Sequence, residues 1–402
     1  MKYDTVVIGG GPAGLAAAIR AKELGLEVLL LDEKDYLGGI LPQCIHPGFG
    51  LHYFREDLTG PEFAHRLVEK VESLGIEIRK EATVLNISLE GKWRKVKYVS
   101  PQGLEYIDTK SVIYAAGARE KHRFEVGILG DRVAGVFTAG EAQTMMDIYG
   151  IMPGKKVVIV GSGDVGLIMA RRFALEGAEV KGVIELMPYP GGLARNIVQC
   201  LQDFNIPLYL GHRVLEIKGK RRVERVVVSS VDGKNQFEIP CDTVVLSVGL
   251  TPRVKMLKRI GVNIDPATGG PYVDENLSTN VDGIFVAGNS LVINDLVDYV
   301  VEQGELAAGA ARKYVDGELE RGDIWIKPGN GMRCVVPQYV SGKRDVVFYA
   351  RVSEPRENAV LEFVGTNHRI RYPVVKPAEM LRFRVKKEKL ATSMDVLSLE
   401  VK

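Results

Sequence analysis

Two glycine triplets carry the first chemical signal in this chain of 402 residues. Gly9-x-Gly11-x-x-Gly14 follows the apolar run Val6–Ile8, and Gly161-x-Gly163-x-x-Gly166, opening 152 positions later, follows Val157–Val160. A glycine triplet between a strand and a helix lets the backbone approach a pyrophosphate, which then rests on the N-terminal amides of the helix. One such triplet is a common turn; two in one chain point to two dinucleotides held by one protein. Carboxylates follow at telling distances. Asp32, 23 positions after Gly9, is placed to accept both ribose hydroxyls of an adenosine, with Glu33 as the fallback, and Glu185 stands 24 positions after Gly161. A thiol lies at Cys44, with His46 and His52 nearby in a stretch that also holds Phe49, Tyr53 and Phe54. Such a cysteine is a redox nucleophile where exposed and an inert filler where buried. Of the two histidines His46 ranks first as a catalytic donor to a bound substrate, because it is nearer the Gly38-Gly39 turn.

The elements that must position these residues can be read from apolar spacing. Tyr3–Ile8, Ala13–Gly25 and Glu27–Leu31 form a β-α-β unit, and a second one runs through Lys156, Val165–Gly177 and Glu179–Ile184. A helix is expected near Gly60–Leu74, strands at Ile76–Ile87 and Trp93–Tyr98, and a strand at Ser111–Ala116 running into Gly117. Residues 120–155 read as a connector with a helical patch near Glu141–Ile148. Asp242–Val248 and Ile284–Ala287 are further strands, the first closing at Gly249, and a long helix spans about Leu296 to Tyr314. Beyond Gly322 the period changes to two, with runs at Arg333–Val340, Val346–Val352, Ala359–Val364 and Leu381–Val385. That tail is expected to be all-β.

Composition narrows the class. An apolar content of 46% suits folded cores, and Lys+Arg 53 against Asp+Glu 51 implies no nucleic acid or other bulk polyanion as partner. No apolar run approaches the roughly 20 residues of a membrane span, and no signal peptide is expected, so the sequence reads as cytoplasmic. The four cysteines, Cys44, Cys200, Cys241 and Cys334, have no short paired spacing. That argues against a zinc ribbon, a cysteine-ligated iron–sulfur cluster or a local redox disulfide, and no metal is expected.

Four signatures in order, VVIGGGPAG at 6–14, YAAGA at 114–118, VVIVGSGDVG at 157–166 and TNVDGIFVAGN at 279–289, make the chain resemble the pyridine nucleotide–disulfide oxidoreductase superfamily over residues 1–318. Within it, GGILPQCIHPGFG at 38–50, FTAGEAQ at 137–143 and GNSLVINDLVDYVVEQGE at 288–305 are most similar to the FAD/NAD subunits that accompany glycerol-3-phosphate dehydrogenases. Subunits of opine oxidase, dye-linked proline dehydrogenase and hydrogen cyanide synthase look alike too. The resemblance implies an α/β fold with two Rossmann-like dinucleotide-binding domains. The FAD domain would be discontinuous, at 1–119 and 250–320, with the NAD(P) domain inserted at 120–249 and a small all-β domain at 323–402.

It also implies roles. Gly9, Gly11, Pro12, Ala13 and Gly14 would hold FAD, with Asp32 or Glu33 at the ribose. Gly38 and Gly39 would pass its diphosphate, Val84 would meet adenine through its backbone (a core valine being the equal alternative), and Ala116, Gly117, Gly288 and Asn289 would complete the site. Asn289 stands where the family has Asp; it can hydrogen-bond a ribityl hydroxyl and brings no negative charge near the diphosphate. Gly161, Gly163, Asp164, Val165, Gly166, Glu185 and Gly249 would hold the nicotinamide nucleotide. Glu185 favours NAD over NADP, since a carboxylate repels the 2′-phosphate, and the nearest basic residue downstream is Arg195.

The expected chemistry is hydride transfer between nicotinamide and flavin, with electrons moving on to or from a partner dehydrogenase in a hetero-oligomer. With one cysteine after the GG turn, a thiol-relay reductase is disfavoured. Two alternatives stand beside this reading: a self-sufficient NADH oxidase or peroxidase using Cys44, and an assembly subunit whose FAD is structural. Residues 323–402 carry 15 Lys+Arg against 9 Asp+Glu; solubility explains such an imbalance, and docking on an acidic partner is the functional alternative.

Overall fold

The computed structural model describes residues 2–366, 368–390 and 394–402. The chain opens with β1 (Lys2–Ile8), α1 (Pro12–Glu23), β2 (Val28–Leu31), α2 (Gly60–Ser73), β3 (Glu77–Arg79), β4 (Thr83–Glu90), β5 (Trp93–Ser100) and β6 (Gly103–Tyr114). These build one sheet in the order β3-β2-β1-β6-β5-β4. Strands β1, β2, β3 and the second half of β6 run parallel, and β4, β5 and the first half of β6 form an antiparallel meander. The twelve residues of β6 thus serve both: Lys2 to Ile8 pair with Asp108 to Tyr114, whereas Arg94 to Ser100 pair back to Thr109 through Gly103. Apolar spacing alone starts this strand at Ser111. Its first half alternates half-buried and exposed residues, as expected of a strand with one face to solvent.

A second compact unit spans 119–251. It contains β7 (Leu129–Gly130), β8 (Val136–Thr138), α3 (Ala139–Asp147), β9 (Lys156–Val160), α4 (Asp164–Leu175), β10 (Glu179–Glu185), β11 (Leu208–Leu210), β12 (His212–Gly219), β13 (Val223–Ser230), β14 (Gln236–Pro240) and β15 (Thr243–Leu246). A parallel sheet β8-β15-β9-β10-β11 carries the second β-α-β unit, and a separate sheet β7-β12-β13-β14 stands in the same unit. The second sheet is absent from the sequence reading, although Val223–Ser230 is as apolar as the strands expected there. Residues 120–155 are more than a connector, since β8 pairs with β15 and α3 begins with a Thr138–Glu141 capping box.

From 252 the chain rejoins the first unit. Strand β16 (Ile284–Val286) pairs in parallel with β6, and α5 (Val297–Asp316) lies against α1. Small residues make that approach possible: a Cβ on Gly304 would stand 2.2 Å from the Ala13 carbonyl oxygen. Eight strands follow: β17 (Ile324–Pro328), β18 (Met332–Val336), β19 (Tyr339–Val340), β20 (Val346–Val352), β21 (Arg356–Phe363), β22 (Arg369–Val375), β23 (Leu381–Val385) and β24 (Val396–Val401). They form sheets β19-β17-β24-β21-β22 and β18-β20-β23, with a core of their own around Phe348, Phe363 and Phe383. The run expected as one strand, Arg333–Val340, is two strands in different sheets, separated by Pro337, which has no N–H to give a ladder. Two ionic anchors tie the sheet β18-β20-β23 to α5 and the residues just before it. Glu302 on α5 takes the Arg382 guanidinium and the Tyr349 hydroxyl (2.7 Å), and Arg351 meets Asp295 and the Ile293 carbonyl (3.1 Å).

Candidate functional site

Within the first unit, three glycines of the turn do three different things. Gly9 has φ +106°, and a Cβ there would stand 2.3 Å from the carbonyl oxygen of Ala115, just past the end of β6. Gly14 sits in the first turn of α1, where a Cβ would fall 1.7 Å from the Gly9 carbonyl oxygen. Gly9 is demanded by the close passage of the chain after β6, and Gly14 by the packing of the helix on the turn. Gly11 is not: its φ of −76° suits any residue, and its nearest neighbour would be Gly39 Cα at 3.7 Å. It is also the N-cap of α1, so no side chain closes the first turn, and Pro12 occupies N1. The Gly38-Gly39 turn lies across this point, with the Gly38 N–H bonded to the Gly10 carbonyl at 2.8 Å and Gly39 at φ +65°. A side chain on Gly39 would meet Gly11 Cα at 2.9 Å.

The second unit repeats the arrangement. Gly161, at φ +98°, would place a Cβ 2.1 Å from the Ser247 carbonyl oxygen, and Gly166 would place one 2.5 Å from the Gly161 carbonyl oxygen. Gly163 is again the N-cap of its helix, and a Cβ there would meet nothing within 4 Å. In both turns the middle glycine is the one the protein's own packing leaves unexplained. An open face beside uncapped helix amides is what a diphosphate requires.

The two carboxylates are equivalent. Asp32 is buried, and its oxygens accept the N–H of Gly10 and, at 2.8 Å, of Lys34 two residues on. Glu185 is buried and accepts the N–H (2.9 Å) and hydroxyl (2.6 Å) of Ser162, the counterpart of Gly10, together with the N–H of Met187 two residues on, at 2.8 Å. The offsets of 23 and 24 differ because β10 carries a bulge: Val157 pairs with Val180 but Val158 with Gly182, so Lys181 is the extra residue. Each carboxylate braces its glycine turn from beneath. A carboxylate has about four lone-pair sites, so Asp32 keeps roughly two and Glu185 roughly one for a ligand. Burial, the larger effect, lifts the Asp32 carboxyl above the ordinary range, while the Lys34 and Gly10 N–H groups pull it back. Glu33 is exposed and pairs with Arg253 at 2.6 Å.

The remaining expected residues fall as follows. In the first unit, Val84 is half-buried in β4 beside a register shift opposite Tyr98. Ala116 packs on the core, and the Gly117 carbonyl accepts the Ser290 hydroxyl (3.1 Å) and the Arg253 N–H (3.0 Å). Gly288, at φ +67°, leads into Asn289, whose Oδ1 accepts the Asn294 N–H at 3.0 Å. In the second unit, the Asp164 carboxylate is engaged by the Leu193 N–H (2.8 Å) and the Asn196 amide (2.6 Å), Val165 is exposed, and the Gly249 carbonyl accepts the Lys121 N–H at 3.0 Å. Arg195 is exposed on the short helix Ala194–Cys200.

Cys44 is half-buried, its Sγ donating to the Ile40 carbonyl at 3.4 Å and its carbonyl accepting the Gly60 N–H at 2.9 Å. His46 turns its Nδ1 to the Pro47 carbonyl at 3.0 Å and its ring to Phe49, and His52 is exposed. Cys200, Cys241 and Cys334 are buried; burial raises all three thiols, Cys241 to about 12, which makes them poor nucleophiles. Among the described residues no cluster of His, Cys, Asp and Glu is arranged to hold a metal ion, and no helix is long and apolar enough to cross a membrane.

Sequence reasoning missed Ser162, whose hydroxyl relays Glu185 to the Gly191 N–H at 2.8 Å, and the buried Gln303, which accepts the Gly288 N–H at 2.9 Å. Gln303 gave a signal, a polar residue on the apolar face of a helix; a serine after a glycine gives none.

The model of the pyridine nucleotide-disulphide oxidoreductase family matches residues 3–312. Thioredoxin reductase of Ureaplasma parvum is 28% identical over 327 residues, covering 78% of this chain and 97% of that protein. An opine oxidase subunit of Agrobacterium tumefaciens is 29% identical over 336 residues, covering 77% of this chain and 65% of that protein. Among solved structures, T. acidophilum thioredoxin reductase superposes with a TM-score of 0.66 at 27% identity, over 79% of this chain and 99% of that one. The match to the family model covers both glycine turns and both bracing carboxylates, and the chain belongs to the pyridine nucleotide-disulphide oxidoreductase family as an FAD-dependent NAD(P)H oxidoreductase.

Proposed function

We propose that the first unit holds FAD and the second NAD(H), and that electrons pass between them and on to, or from, a separate dehydrogenase. The observation that carries this reading is the twinned turn, in which the outer glycines are fixed by packing and the middle one has room for a side chain, with nothing within 4 Å at Gly163 and only Gly39 Cα, at 3.7 Å, beside Gly11. The residues fit a dinucleotide at both places, because the free space lies beside an uncapped helix N-terminus with a braced carboxylate below it. When bound, FAD supplies the two-electron acceptor for the hydride of a reduced pyridine nucleotide. Such a step needs no acid or base from the protein, so the work of this chain is to bind and orient.

On this reading Gly11 and Gly39 leave room for the FAD diphosphate, while Asp32 keeps its turn in shape and offers its remaining lone pairs to the ribose, with Glu33 beside it. Glu185 does the same in the second unit and favours the free 2′-hydroxyl of NAD over the 2′-phosphate of NADP. Residues 1–119 and 250–320 would then be the discontinuous FAD domain, 120–249 the inserted nucleotide domain, and 323–402 a basic β domain suited to docking on an acidic partner. The partner is proposed to be a dehydrogenase of the glycerol-3-phosphate type, in a hetero-oligomeric complex. Similarity to a protein named as part of opine oxidase supports membership of a complex, and the sequence around 288–305 supports this particular partner. The buried thiols at Cys200, Cys241 and Cys334 suit a reducing compartment such as the cytoplasm.

Affinity purification from the native host tests the complex. A dehydrogenase retained in fixed proportion with a flavin-coloured chain is expected; a coloured chain that elutes alone under gentle conditions would count against the partner.

A further inference from the structure

The C-terminal sheets lie beyond the residues matched by the family model, which end at 312. One of their two outer faces is occupied: Tyr349, Arg351 and Arg382, on the sheet β18-β20-β23, bond to Glu302 and Asp295. The other outer face belongs to the sheet β19-β17-β24-β21-β22. Ile324, Ile326, Leu397 and Leu399 are buried in the core between the sheets, so by alternation Trp325, Lys327, Val396 and Ser398 point outward. Strand register then sets Tyr339, Trp325 and Val396 side by side across three strands. They are 37%, 36% and 43% exposed, and none joins a hydrophobic core. Val364, whose N–H bonds to the Ser398 carbonyl at 2.8 Å, is exposed as well. Apolar residues grouped on a surface mark contact with another molecule, and Trp, Tyr and Arg are the residues that anchor protein interfaces.

The charges on this face select its occupant. Arg369 and Arg371, on the edge strand β22, stand opposite Glu362 and Val360 of β21. Glu362 is shared by Arg369 (2.9 Å) and Lys402 (2.7 Å). Glu400 accepts the Ser398 hydroxyl at 3.3 Å, and among the described residues no carboxylate pairs with Lys327 or Arg371. An apolar row beside uncompensated cations is complementary to an apolar patch rimmed by carboxylates.

We propose that this face is the docking surface for the partner dehydrogenase, through a patch on that protein with an apolar centre and an acidic rim. The proposal rests on the reading that such a partner exists. Trp325 and Tyr339 are the anchors buried on association, while Lys327 and Arg371 steer the approach and set its salt dependence.

Trp325 supplies the readout, since Trp93 is the only other tryptophan. In the full-length Trp93→Phe protein, emission should shift to the blue on addition of the glycerol 3-phosphate-oxidising dehydrogenase purified from the native host, and the titration yields a dissociation constant. Against that reference, Lys327→Glu combined with Arg371→Glu should bind about tenfold more weakly in about 0.05 M salt, with the deficit shrinking in about 0.5 M salt. Trp325→Ala, followed by calorimetry, should bind about thirtyfold more weakly at both. Each variant should keep the native rate of flavin reduction by NADH, which reports an intact fold. A charge-reversed protein that binds within about twofold of the reference, or a Trp325 emission that stays put while calorimetry shows the dehydrogenase bound, would overturn the proposal. So would an emission shift that follows the concentration of the chain alone, which makes a second copy the occupant. No binding of the native chain to the dehydrogenase by either method would instead remove the partner itself, and this surface with it.

Discussion

Substituting Gly11 and Gly14 separately should pull cofactor affinity apart from stability, although the two residues are three positions apart. A methyl group on Gly14 would lie 1.7 Å from the Gly9 carbonyl oxygen, half the 3.4 Å at which ordinary contact begins. Neither partner can yield, because one is the backbone of a buried turn and the other the first turn of a helix packed on β1. Overpacking of this kind costs about 1–3 kcal/mol or more, against about 1 kcal/mol gained from alanine's helix propensity, so Gly14→Ala should lose about 2 kcal/mol. A methyl on Gly11 would meet its nearest atom at 3.7 Å with φ already negative. Its cost to the apo-protein is the difference between glycine and alanine as N-caps, below about 1 kcal/mol. The same methyl fills the space proposed for the diphosphate, so FAD should bind at least tenfold more weakly, a loss of about 1.4 kcal/mol or more. Denaturant unfolding of the stripped proteins gives the stabilities and flavin fluorescence titration gives the affinities. If Gly11→Ala binds FAD within twofold of the native chain and is equally stable, the open face beside Gly11 is not where a dinucleotide lies.

Other consequences follow from the same geometry. Glu185→Ala removes the acceptor of the Ser162 and Met187 N–H groups, so the apo-protein should lose about 1–3 kcal/mol; the preference for NADH over NADPH should also narrow, and steady-state kinetics with both nucleotides would show whether it does. Cys44→Ser should leave reduction of the flavin by NADH within about twofold of the native rate in stopped flow, since the hydride step needs no thiol; a collapse of NADH-dependent peroxide turnover in that variant would favour the oxidase or peroxidase alternative. Burial pushes the Glu302 carboxyl up, but the Arg382 guanidinium and the Tyr349 hydroxyl outweigh it and hold it below the ordinary range. Its stabilising contribution is therefore complete above the usual glutamate pKa and lost as pH falls through the lowered one. Glu302→Gln should flatten that part of the acid unfolding profile, and an unchanged profile would mean that the anchor contributes little.

The parts of this molecule written in local spacing are legible in the sequence. Gly9, Gly161 and the apolar runs before them define the two β-α-β units, and the carboxylate after each second strand is found by counting. What counting misses is three-dimensional. The extra residue before Glu185 is a bulge at Lys181 and Gly182, which only strand register reveals. The division of labour among the glycines is visible only once Ala115 and Ser247 are in place to crowd the outer ones. The Asn289 side chain is oriented by the Asn294 N–H, five positions away. Strand β13 is missed for a simpler reason: Val223–Ser230 carries no dinucleotide motif to draw notice to it.

The most direct test of the account is an anaerobic titration of the isolated protein with NADH, followed by flavin absorbance. The expected result is a yellow protein whose flavin band is lost on addition of about one equivalent of NADH, with more NADPH needed for the same effect. A protein isolated and reconstituted without any flavin, or one whose flavin stays oxidised in excess NADH, would contradict it.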